Sequence, residues 1–100
     1  MDSEKQIDVY LEVLTAIVQR FIKLMGAPGL RLARRVYGLR VTDDGTVTSF
    51  QGEGMVVVQG LIVEYMTLLG GQVVPLTKRA IEPARERNPD IKLPAMLTVK

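Results

Sequence analysis

The chain has no cysteine, no histidine and no tryptophan. Without cysteine there is neither a disulfide nor a thiolate nucleophile. Without histidine, the commonest general base and the commonest metal ligand are both missing. Aromatic residues amount to 5%, so Leu, Ile, Val and Met must supply most of the interior. A dominant charge is lacking as well. Thirteen basic residues (13) oppose 11 acidic ones for a net charge of +2, shared evenly between the two halves. That balance does not carry generic, charge-driven nucleic-acid binding. No uncharged run reaches the roughly 18 residues of a membrane span. The nearest, 55–69, is interrupted by Gln59, Glu64 and Thr67. The start, Met1-Asp2-Ser3-Glu4, has neither the cationic nor the apolar region of a signal peptide, and the chain is expected to be cytoplasmic.

What is present is enough for one core. A chain of 100 residues, 47% of them hydrophobic, has the size and composition of a single domain, 1–100. So small a domain has much surface for its volume, and its surplus of apolar residues favours self-association.

Ser3 and Gln6 are spaced as a capping box at the start of a first helix. Ile7, Leu14 and Phe21 recur every seven residues, Tyr10, Ile17 and Leu24 follow three later, and Leu11, Val18 and Met25 widen the stripe. Gly26 stops the pattern, giving a helix over about 4–25. Pro28 suits the first turn of a second helix. Its apolar face is Leu30, Ala33, Val36 and Tyr37, and Gly38 ends it. β-Branched residues then flank Asp43-Asp44-Gly45, which predicts a short β-hairpin over 39–50. Two strands alone are marginal in water, so the hairpin must lie on the helices or pair with another chain.

A third helix is predicted over 55–69, burying Val58, Leu61, Ile62, Tyr65, Leu68 and Leu69. Gly60 inside it costs roughly 1 kcal/mol relative to Ala, and is expected to allow a close backbone contact. Pro75 is tolerated only in a first turn, so a fourth helix starts at 72–74, with Pro83 kinking or ending it. The tail, 88–100, is expected to be extended. Its Ile91, Leu93, Met96, Leu97 and Val99 are too apolar for a free end, so it should dock on the core or on a partner subunit.

Shifting the sequence by 44 residues sets Phe21-Ile22-Lys23-Leu24-Met25-Gly26-Ala27 over Tyr65-Met66-Thr67-Leu68-Leu69-Gly70-Gly71. The same shift sets Leu32-Ala33-Arg34-Arg35 over Leu76-Thr77-Lys78-Arg79. The expected architecture is therefore mainly α. Two αα-hairpin repeats, about 4–38 and 55–87, form a four-helix core, with the short β-hairpin between them and the extended C-terminal tail docked alongside.

Arg31, Arg34 and Arg35 share one helix face, and Arg40 follows. With Lys78 and Arg79 of the second unit they are the candidate contacts for an anion or a nucleic acid. The plainer reading is a solvated face, or arginines paired with Glu12, Glu53 or Glu64. Leu24-Met25-Gly26-Ala27 resembles the glycine-centred turn of the DNA-binding helix-turn-helix over about 20 residues. The first helix is far longer than that motif's, however, and the second has no Asn or Gln to read bases. Asp43-Asp44-Gly45 lacks the further ligands of a calcium loop. Gly52-x-Gly54 and Gly70-Gly71 lack the rest of any phosphate loop, and Glu53 and Glu64 have no nucleophile or base beside them in the pattern. No catalytic residue, metal or cofactor is expected.

The leading expectation is a non-enzymatic homo-oligomer, most simply a dimer, acting as a protein-interaction adaptor or scaffold. Its expected interface is Ile7, Leu11, Leu14 and Val18 with Ile91, Leu93, Met96 and Leu97 of the tail. The alternatives are a small nucleic-acid-binding regulator and a carrier of a small apolar ligand held between the hairpins.

Overall fold

The seven-residue apolar recurrence folds as helix. In a computed structural model, which describes residues 2–98 and side chains from residue 6 onward, α1 runs Asp2–Met25. The Ser3 side chain of the capping box and Val99 of the apolar tail lie outside the described residues. Val13, Leu14, Ile17, Val18 and Phe21 of α1 are fully buried. Gly26 then stops the helix, donating its N–H to Ile22 O at 2.7 Å.

Helix α2, Ala27–Ala33, is shorter than the apolar pattern predicts. Residues 34–38 leave it through tight turns, with Arg35 N on Leu32 O and Val36 N on Ala33 O, both at 3.1 Å. Tyr37, expected on the apolar face, is therefore 87% exposed. The physical reason is the chain reversal that follows, because the backbone must unwind before Gly38 to enter the hairpin.

That hairpin pairs β1, Arg40–Val41, with β2, Val47–Ser49, in antiparallel register Arg40↔Ser49 and Val41↔Val47. In its turn the Asp44 carboxylate accepts hydrogen bonds from the Thr42 hydroxyl and from Thr46 N–H. These bonds, the hydroxyl first, hold its pKa below the usual carboxylate value. The hairpin lies on α1: Val47 N–H donates to Thr15 Oγ1 at 2.9 Å, and the Val47 side chain is buried.

Helix α3, Gly54–Leu69, buries Val57, Val58, Leu61, Ile62 and Tyr65. Leu68, expected inside, is 61% exposed. It lies on the outer side of the last turn, as Leu24 does in α1, while Met66, Leu69 and Met25 in those turns pack against the core. A 3₁₀ turn, Gly70–Gln72, leads into α4, Val73–Arg87.

Of the two outcomes expected at Pro83, a kink or an end, it does not end α4, which continues to Arg87, where the second unit is expected to stop. Pro83 faces solvent, while Ile81 and Ala84 on either side of it are buried and hold the helix to the core. The tail is not wholly extended either, because Ala95–Thr98 forms a helical turn, α5, opened by Pro94. Leu93 and Leu97 are buried, Tyr10 OH donates to Lys92 O at 2.5 Å, and an Arg85 guanidinium N–H donates to Leu97 O at 3.4 Å.

The chain is thus mainly helical with one two-stranded antiparallel hairpin. Helix α1 touches α2, α3, α4 and β2, and so lies at the centre. The Phe21 and Tyr65 rings stack with centroids 4.2 Å apart and planes 20° from parallel. The Tyr65 hydroxyl donates to Gly29 O at 2.8 Å, which satisfies the one polar atom of that buried ring. Burial raises its pKa far above the usual tyrosine value.

Candidate interaction surface

Glu64 is the sole charged residue of α3. Because the helix spends Val58, Leu61, Ile62 and Tyr65 on the core, its opposite side carries Val56, Gln59, Gly60, Val63 and Thr67. Val56 is 59% exposed and Val63 46%. At the edge of this uncharged strip Arg35 Nε sits 3.4 Å from Glu64 Oε1, so the one carboxylate is already paired. That pair was among those named from the sequence.

Gly60 lies in the middle of the strip, and the close backbone contact expected there is not made within the chain. A Cβ built on it would have Val36 Cγ1 at 3.9 Å as its nearest neighbour. A true close approach occurs instead at Gly29, where a Cβ would stand 2.6 Å from Phe21 O. Sequence reasoning missed that position. The available signal was a second small residue directly after Pro28, in the first turn of a helix that has to meet its predecessor.

The corresponding flank of α1 meets the hairpin turn, although Gln19 on it stays exposed. A Cβ at Gly45 in the hairpin turn would meet Ile22 Cδ1 at 2.8 Å and Gln19 Cγ at 3.0 Å. Gln19 Nε2 donates to Asp44 O at 3.4 Å, and Thr15 receives Val47 N–H. The α3 residues 44 positions later, Gln59, Val63 and Met66, have no such layer over them. Gln59 and Val63 are exposed and Met66 is half-buried.

The basic residues singled out from the sequence do not converge on one site. Arg34 Nη2 binds Asp43 Oδ1 at 2.9 Å and Val41 O at 3.0 Å, which ties it to the hairpin. Arg35 turns to α3. Arg31, Arg40 and Arg79 are exposed, whereas Lys78 is half-buried and engaged within the chain. Of the expected interface residues, Leu14, Val18, Leu93 and Leu97 are spent on the chain's own core. Ile7 is exposed, and Leu11, Ile91 and Met96 are half-buried.

A cleft of about 740 Å³ opens between the start of α1, the 50–55 segment and residues 87–92. Tyr10 and Phe50 meet edge to face in it at 6.2 Å, and burial followed by the nearby Glu53 carboxylate raises the Tyr10 pKa. An Arg87–Glu12 ion pair ties the end of α4 to α1. The cleft is open to solvent and lined by Gln6, Glu53 and Arg87 as well as apolar groups, unlike the enclosed apolar pocket a small-ligand carrier would use. By length and composition alone, the helical stretch Gly54–Arg87 is apolar enough to cross a bilayer. Val58, Leu61, Ile62 and Tyr65 of it are packed inside, and 33% of its most apolar window is buried. No family model matches the sequence, no curated protein is similar to it, and no solved structure matches its fold.

Proposed function

We propose that the chain is a non-enzymatic, homo-oligomeric interaction module, most simply a dimer, that serves in the cytoplasm as an adaptor or scaffold. In this reading it is built from two αα-hairpin repeats around a four-helix core. Several pairs of positions 44 residues apart support the duplication. Between 13–36 and 57–80 the burial of aligned residues differs only at Thr15/Gln59, Pro28/Gln72, Leu32/Leu76 and Arg34/Lys78. Gly26 and Gly70 adopt nearly the same glycine-only backbone, φ 75 ψ −142 and φ 69 ψ −153. Each donates its N–H to the residue four before it, Ile22 and Met66. Aligned residues also meet across the core. Phe21 stacks on Tyr65, and the Tyr10 ring fills the space where a Gly54 Cβ would stand. Contacts between positions 44 apart, at both places, are what two parallel copies of one unit would make.

The observation that carries the functional reading is the uncharged, exposed side of α3. Two half-exposed valines on one strip, with no charge among them, are a poor solvent face and a good docking face. Burying the exposed half of each is worth roughly 1 kcal/mol. Arg34 and Arg35, by contrast, are held by Asp43 and Glu64, which leaves α2 with less free charge for an anion than its sequence offers. Sedimentation velocity over a concentration series tests the proposal. The expected species has twice the 11.1 kDa chain mass. A single monomer boundary up to about 100 μM, a Kd weaker than a stable homodimer shows, would reject it.

A further inference from the structure

We infer that the second copy docks on the outer side of α3, helix against helix, with Gly60 at the crossing; this rests on the homo-oligomer reading above. Charge selects this face. Two copies joined through α2 would set Arg31, Arg34 and Arg35 against their own equivalents. The outer side of α4, with Lys78, Arg79, Glu82 and Glu86, would have to desolvate a dense set of charges. The α3 strip of Val56, Gln59, Gly60, Val63 and Thr67 has none, and its rim carries one charge of each sign, Arg35 and Glu64, 3.4 Å apart. Such a neutral patch is complementary to itself, as an isologous contact requires.

Gly60 points to the same place. A glycine in mid-helix costs helix stability, and the chain's own packing does not require it, because a Cβ there would clash with nothing and would meet Val36 Cγ1 at an ordinary contact distance of 3.9 Å. A helix–helix approach from outside would need the missing Cβ. The exposed flank beside it, Gln59 and Val63, is the flank that on α1 hydrogen-bonds to the hairpin, at Thr15 and Gln19. In α3 the second copy supplies that cover.

The absence of native cysteine makes the test direct. Gln59→Cys on α3 and Glu82→Cys on α4 each give one exposed thiol for a short bis-maleimide linker. The Gln59→Cys chain should cross-link to a dimer at least tenfold faster than the Glu82→Cys chain. Gly60→Trp and the surface change Val63→Asp should each weaken dimerisation at least tenfold in sedimentation while leaving the helical circular dichroism intact. A wild-type dimer that survives both substitutions, with no faster cross-linking at Gln59→Cys, would place the interface elsewhere. That result would overturn this inference and leave the homo-oligomer reading standing. A monomeric wild-type chain would overturn both and leave the strip to a different protein partner.

Discussion

Helices α1 and α3 bury alike and differ at one outer position. Both bury their aligned positions, Leu14 with Val58, Ile17 with Leu61, Val18 with Ile62 and Phe21 with Tyr65. Both stop at a glycine with matching geometry. Yet the hairpin hydrogen-bonds to Thr15 and Gln19 of α1 and leaves Thr15 half-buried, while Gln59, aligned with Thr15, is exposed. The difference arises in the segment that follows each helix pair. After α2 the chain unwinds at Arg34 and turns back onto α1. After α3 and its successor the chain stays helical through Pro83 to Arg87, and then crosses to Tyr10 at the far end of α1. An amphipathic helix therefore specifies its inner face by itself, whereas its flanks depend on where the next segment goes.

The comparison is broken first at its centre. Phe21→Ala and Tyr65→Ala should each cost about 3–5 kcal/mol, read by urea or guanidinium unfolding. A double-mutant cycle should show coupling of about 0.5–3 kcal/mol between the stacked rings. Strongly unequal single costs would mean that the two halves do not share the core evenly.

Next come the two glycines. Gly29→Ala drives a methyl into the Phe21 backbone and should destabilise by about 1–3 kcal/mol. Gly60→Ala meets only Val36 Cγ1, at an ordinary 3.9 Å. Measured at a dilution where the chain is monomeric, it should stabilise by up to about 1 kcal/mol. A reversal of that order would remove the distinction between a filled and a bare helix side.

Alkaline titration bears on the shared interior. Tyr10 and Tyr65 both have pKa values raised in the fold, chiefly by burial. Their contribution is fully present below the unfolded tyrosine value of about 10 and is lost as pH rises above it toward the folded values. For a buried tyrosine the loss is up to about 1.4 kcal/mol per pH unit in that window. Unfolding free energies that stay flat from pH 10 to 11 would contradict the burial of Tyr65. Tyr65→Phe should flatten the slope.

The smallest effect separates the flanks directly. Thr15→Val leaves Val47 N–H without its acceptor and should cost about 1 kcal/mol. Gln59→Ala at the aligned position should stay within about 0.5 kcal/mol in the monomer. Hydrogen exchange at the Val47 amide gives a second reading of the first change.

How much of this was legible in the residues can be traced element by element. The spans of α1, α3 and α4 follow from apolar spacing near 3.6 and from Gly26, Gly70 and Pro75, because backbone chemistry at helix ends is local. The Arg35–Glu64 pair was legible as one of a few options, since Glu64 is the sole acid in its helix. Three features were not legible: the exposure of Tyr37 and Leu68, the helical turn at Ala95–Thr98, and the close approach at Gly29. Each depends on where a helix end lies relative to the rest of the core, and periodicity carries no information about that distance.

By itself, then, the order of residues determined the helices, their inner faces, the position of the hairpin turn and the lack of thiol and imidazole chemistry, all of which depend on neighbours a few positions apart. Only the tertiary structure decided that the hairpin lies on α1, that the tail reaches Tyr10 and that Val56, Gln59 and Val63 of α3 are left exposed. Those outcomes depend on segments tens of residues apart competing to cover the same apolar surface.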